Sequence, residues 1–177
     1  MAIEPGVHKL GPDNATLRVK TGRGGAAAKA GHDLLLEVTS WQATLDAGDA
    51  PSLELSADPT SLRVIEGKGG MQALDDDGRA DIHKTIDKDV LKKQAIQFRS
   101  TSVERHDGTL AVEGELELAG QTAPTSFEVS IGDDGTLSAS TKLKQTDWGI
   151  KPYSALFGAL KVSDEVEVMV DGRVPTA

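Results

Sequence analysis

The chain has 177 residues, 38% hydrophobic and 27% charged, enough for one domain with its own core. Its 19 basic and 28 acidic side chains set a formal charge of −9, which a phosphate backbone or an anionic bilayer repels. No cysteine is present, which excludes disulfides, thiolate metal sites and cysteine nucleophiles.

Met1 to Gly6 carries neither a basic n-region nor an apolar h-region, so the expected location is the cytoplasm. No run approaches the roughly 18 apolar residues of a membrane span. The first strand follows at Ala15, Leu17 and Val19, alternating with Thr16, Arg18 and Lys20. Residues 22–28, rich in Gly and Ala, read as a loop. Leu34, Leu36 and Val38 continue the strand pattern, whose phase slips to Trp41, Ala43 and Leu45, as a bulge near Thr39-Ser40 produces. Leu53, Leu55 and Ala57 mark a short strand.

A Gly-rich loop, Glu66 to Gly78, leads into the one helix. Ile82, Ile86 and Val90 recur at intervals of four with Leu91 beside them, a stripe for packing on the sheet or across its end. Asp75, Asp76, Asp77 and Asp81 favour the positive end of the helix dipole, and Lys92-Lys93 is expected in its last turn. That pair is the only basic cluster and is too short to hold nucleic acid.

Period-2 patterning dominates from residue 95 onward. Leu110, Val112, Gly114, Leu116 and Leu118 share a face; so do Phe127, Val129 and Ile131, then Leu137, Ala139, Thr141 and Leu143, then Val166, Val168 and Val170. Asp107-Gly108 and Asp134-Gly135 supply hairpin turns, and Ala119 to Thr122 a slightly longer link. Connections this short force antiparallel neighbours, so residues 95–144 read as a four-stranded meander. Glu113, Glu115 and Glu117 fall on the wet face, where pairing with Lys142 or Lys144 is expected. The count is eight or nine strands, and a meander whose edges all need partners closes most economically as a barrel. The fold expected over residues 1–177 is one all-β domain with one helix, an antiparallel up-and-down barrel of about eight strands.

Motifs of chemistry are weak. Gly22-x-Gly24-x-x-Ala27 fits a dinucleotide fingerprint only if a helix and a parallel crossover follow, and Gly31 with its antiparallel surroundings opposes both. Asp75, Asp77 and Gly78 imitate a calcium loop, but that register puts Ala73 and Lys84 at required ligand positions. His8, His32, His83 and His106 form no local zinc motif. His32-Asp33, after a Gly-rich stretch, is the pair from which a lipid-acting enzyme would have to be built. No Ser/His/Asp signature accompanies it. The expectation is therefore no enzyme, no metal and no cofactor.

The inner face itself carries the functional argument, since its apolar residues bear no charge. Gly114, Ala139 and Ala43 thin the wall among them. A barrel of about eight strands is either just filled by side chains or just wide enough for one ligand, and the pattern leaves both open. If hollow, it suits an apolar small molecule or lipid, with Leu17, Val19, Leu34, Leu36, Phe98, Leu116, Phe127 and Val129 on the wall. Trp148, Tyr153, Leu156 and Phe157 would shape the mouth, because Gly149, Pro152 and Gly158 make that segment irregular. If packed, it suits a stress-related or protein-interaction module.

Three stretches carry a resemblance: Ala80-Asp81-Ile82-His83 through Val90-Leu91 and on to Phe98-Arg99-Ser100; Leu110 to Leu118 with Gly120-Gln121-Thr122-Ala123-Pro124; and Thr146-Asp147-Trp148-Gly149-Ile150. In order and spacing they resemble the YceI-like family over residues 80–171. The resemblance implies a lipocalin-like barrel, often a homodimer, with an elongated apolar cavity that in some relatives holds polyisoprenoid or fatty amide chains. Many relatives are periplasmic or secreted.

Overall fold

The computed structural model describes residues 3–24, 32–69, 74–155 and 160–175. Twelve strands form one sheet: β1 (Val7–Leu10), β2 (Ala15–Gly24), β3 (His32–Val38), β4 (Trp41–Asp46), β5 (Ser52–Ala57), β6 (Leu62–Gly69), β7 (Ile96–His106), β8 (Thr109–Leu118), β9 (Gln121–Ile131), β10 (Thr136–Lys144), β11 (Ser154–Ala155) and β12 (Leu160–Arg173). Helix α1 (Asp76–Thr85) continues into a π-helical turn, Ile86–Val90, between β6 and β7. The pairing path runs β1-β4-β5-β7-β8-β9-β10-β12-β2-β3-β6, with β11 added beside β12, and every pairing is antiparallel.

The expectation of about eight strands is corrected to eleven on the main path. Period-2 patterning finds β2 to β5, β7 to β10 and β12. It misses β1 and β11, which are four and two residues long, and β6, whose Gly67 and Gly69 erase the apolar face. Glycine also hides strand ends. β2 runs through Gly24 and β6 through Gly69, where the sequence suggests loops, because the ladder needs only their backbones.

At Thr39-Ser40 the phase slip is a break between β3 and β4. Buried Ser61 stitches it: Thr39 N and Oγ1 donate to Ser61 O at 3.0 and 2.8 Å, and Ser40 N donates to Ser61 Oγ at 3.1 Å. Across the same bend Asp58 N donates to Ser40 O at 2.9 Å. Thus β3 runs on into β4, and β5 nearly into β6. The two arms of the path are joined through these bends, so the sheet curls around one interior, and the main core cluster draws on both arms. The fold is an all-β, lipocalin-like barrel with one helix.

Two surface expectations change. Lys142 bridges Glu165 on β12 at 3.7 Å and does not meet Glu113 to Glu117, because β9 stands between β8 and β10. Lys92 and Lys93 lie beyond the helix, both with left-handed backbone (φ 55° and 54°). The start of α1 follows the acidic pattern: Asp75 is its N-cap and accepts from Gly78 N at 2.7 Å.

Candidate functional site

The interior is packed at one end and hollow through the rest. At the packed end Leu110 and Val112 are each 1% exposed, with Ala47, Ile131 and Val174 buried in the same cluster. Beyond them lies a cavity of about 430 Å³. Each inward residue comes from a strand whose alternation points it there. Leu17 and Val19 come from β2, Leu34 and Leu36 from β3, Phe98 from β7, Leu116 from β8, and Phe127 and Val129 from β9; all line the hollow. The rings of Phe98 and Phe127 meet at a 5.4 Å centroid distance, tilted by 53°.

Trp148 and Tyr153 also border the cavity; Trp148 is buried and Tyr153 is 47% exposed. Leu156 and Phe157, expected beside them, lie outside the described residues. Trp148 is fixed from three directions. Its Nε1 donates to Leu116 O at 2.7 Å, it packs with Leu143 and Ile150, and its own turn, Gln145–Trp148, is clamped from β12. In that clamp Asp164 accepts from Thr146 N at 2.9 Å and from Thr146 Oγ1 at 2.7 Å.

Those two donors hold the Asp164 carboxyl below the usual carboxylate range, the hydroxyl more strongly than the amide, with Lys144 adding a smaller pull. The sign follows: the contact's contribution is present above the ordinary carboxylate value and is lost as pH falls through the lowered one. Replacing Thr146 by Val should therefore raise the Asp164 pKa toward the ordinary 3.8, as read by NMR titration of its carboxyl carbon. An unmoved titration would mean that the clamp does not form.

The sequence reading omitted one wall. Ile82, Ile86, Val90 and Leu91, the helical stripe, face the cavity between β6 and the Trp148 segment, together with Trp41 and Leu55 from β4 and β5. The interval-of-four pattern already allowed a helix across an end of the barrel, but nothing in it distinguishes a wall from a packed face. Gly114 does not thin the wall as expected. The ring of Phe98 occupies the space its side chain would take, whereas Ala43 and Ala139 do border the hollow.

Asp81 is the single charged side chain among the described lining residues. Two polar atoms on the wall are buried without a hydrogen-bond partner among the described residues, Thr21 Oγ1 and Trp41 Nε1. His32 opens β3 opposite Gly69 and is not among the lining residues, and its neighbour Asp33 pairs with Arg23 at 3.4 Å. Among the described residues no three His, Asp or Glu side chains are grouped to hold a metal ion, and no helix is long and apolar enough to cross a membrane.

Known structures share this architecture. BcnA of Burkholderia cenocepacia superposes with a TM-score of 0.66 at 13% identity, covering 91% of this chain and 96% of its own. The YceI protein of Campylobacter jejuni gives 0.59 at 14% identity, covering 80% of this chain and 84% of its own. At such identities the likeness concerns the fold. No curated protein matches the chain in sequence. The family model of the YceI-like domain, however, matches residues 16–174, from within β2 to just past the end of β12, and the chain therefore belongs to the YceI-like domain family.

Proposed function

We propose that this protein is a carrier that encloses one long apolar chain in its barrel and performs no chemistry on it. The observation behind this reading is the hollow itself. Its volume of about 430 Å³ exceeds the roughly 300 Å³ at which ligand pockets begin. A solidly packed interaction module, the other reading of the sequence, has no use for it. Burial in such a wall is worth about 0.8 kcal/mol per methylene.

A cavity of about 430 Å³ falls in the range of small-molecule sites and suits the chain of a fatty acid, a fatty amide or a polyisoprenoid. Thr21 Oγ1 and Trp41 Nε1 are the polar atoms from which a ligand oxygen would relieve an unmet hydrogen bond. The wall comes from one chain, so the homodimer that the resemblance implies is not needed to form it. Catalysis is not part of the reading, since no histidine lines the hollow among the described residues.

Extraction of the purified protein with organic solvent, followed by mass spectrometry, should release a lipid with a single long chain. Recovery of none, together with no binding of isoprenoids, fatty acids or fatty amides, would overturn the proposal. A filling variant gives the complementary test. Ala139 borders the hollow between Val129 and Val170, and Ala139→Phe should weaken lipid binding about tenfold or more, as displacing about two methylenes implies. Unchanged affinity in a folded Ala139→Phe protein would place the ligand elsewhere.

A further inference from the structure

Strand β6 pairs with β3 along one edge, and among the described residues no strand lies against its other edge. An edge of this kind presents unpaired carbonyls. Helix α1 covers it with side chains. His83 Nδ1 lies 3.0 Å from Leu62 O and 3.1 Å from Arg63 Nη1, both on β6, and Arg79 Nη1 donates to Val64 O at 3.3 Å. The spacings agree: four residues of helix rise about 6 Å and two of strand about 6.6 Å, so side chains at i and i+4 reach alternate carbonyls. Asp87, one turn on, steadies the imidazole with Oδ2 3.2 Å from Nε2.

The two ends of the helical segment are held differently. Neither α1 nor the π turn contains a buried residue. At the far end Leu91 is buried, Val90 packs on both core clusters, and the backbone leaves through the left-handed pair Lys92-Lys93. Leu91 N donates to Ile86 O at 2.8 Å, a wider turn than the α-helix makes and one frequent at functional sites. The near end rests on the Arg79 and His83 bonds, on Leu74 packed against Gly67, and on Ile82 over the hollow. Parting any two neighbouring strands would break a backbone ladder; parting α1 from β6 breaks a few side-chain bonds.

We propose that α1 is the gate of the cavity: its N-terminal end swings away from β6 about the Ile86–Lys93 end, and the ligand passes between helix and strand edge. This rests on the reading that the hollow holds a ligand. The chain offers its own latch. A Cβ on Gly67 would stand 3.5 Å from Leu74 Cβ, at the short end of the roughly 3.5–4.5 Å range of disulfides. Gly67→Cys with Leu74→Cys, in a chain otherwise free of cysteine, pins the residue before the helix cap to β6.

Stopped-flow fluorescence of N-phenyl-1-naphthylamine, an uncharged apolar probe, reads the gate. The reduced double variant should bind the probe and release it no more slowly than the unaltered protein does. The oxidised form should do both on the order of tenfold more slowly with Kd within about twofold, since a blocked path changes rates alone. Equal rates in the two forms would overturn the gate and leave the carrier standing. No probe binding by the unaltered protein would overturn both. Should the cysteine variant fail to fold, Arg79→Ala with His83→Ala tests the same point: release about tenfold faster, the factor two ordinary hydrogen bonds carry. Unchanged release there would equally overturn the gate.

Discussion

Gly114→Ala should destabilise the barrel by about 3 kcal/mol or more, beyond the usual cost of overpacking a core by one methyl. Gly114 lies on β8 opposite Ser100 of β7, with its missing side chain directed inward. A Cβ there would overlap Arg99 O and come within 2.6 Å of the Phe98 ring. The ring could turn away only by losing its contact with Phe127. The carbonyl belongs to a backbone already irregular between Ser100 and Ser102, so it cannot shift without loosening the β7–β8 ladder. The gain from a stiffer unfolded chain, about 0.4–1 kcal/mol, does not offset this. Urea unfolding followed by far-UV circular dichroism would register the change as a lower midpoint or as loss of the transition. A midpoint equal to that of the unaltered protein would mean that β7 and β8 are not registered as described.

Gly114 also shows where sequence patterning stops. Alternation along β8 places position 114 on the dry face, which is correct, but a glycine there reads as empty space. Which neighbour fills that space depends on cross-strand register, and register depends on a bulge in β7 that no local pattern announces. The same limit hides β6. Its inward positions include Gly67, against which Leu74 packs, so the apolar signal sits on a residue seven places away rather than in the strand. By contrast, the four strands of the meander β7 to β10 are legible, because two of its three turns carry Asp-Gly and its inward faces are built largely from Leu, Val, Ile and Phe.

For the candidate site, alternation reveals which side chains point inward and is silent on whether they meet. Leu17, Val19, Leu34, Leu36, Phe98, Leu116, Phe127 and Val129 all face one interior, yet the same pattern is compatible with a filled barrel. The difference lies in bends and in a helix. The breaks at Thr39-Ser40 and at Asp58 to Ser61 redirect two long strands, and α1 stands where a further strand would have closed the gap beside β6. A width set by such long-range geometry leaves no mark in any window of residues.

Stability measurements can sense the hollow with no ligand present. Leu110→Ala should cost about 3–4 kcal/mol, the range for a leucine enclosed on every side, because Leu110 is 1% exposed and the packed end cannot collapse onto the vacancy. Val168→Ala should cost only about 1 kcal/mol, although Val168 sits between Thr141 and Val19 on neighbouring strands. Its methyl groups border the cavity, so part of their surface has no atoms against it and fewer contacts are lost on truncation. Both values come from the midpoint and slope of urea unfolding. Equal losses at the two sites would mean that the barrel is filled along its whole length. A large loss at Leu110 with a small one at Val168 is what a sheet closed at one end and empty beyond it must give.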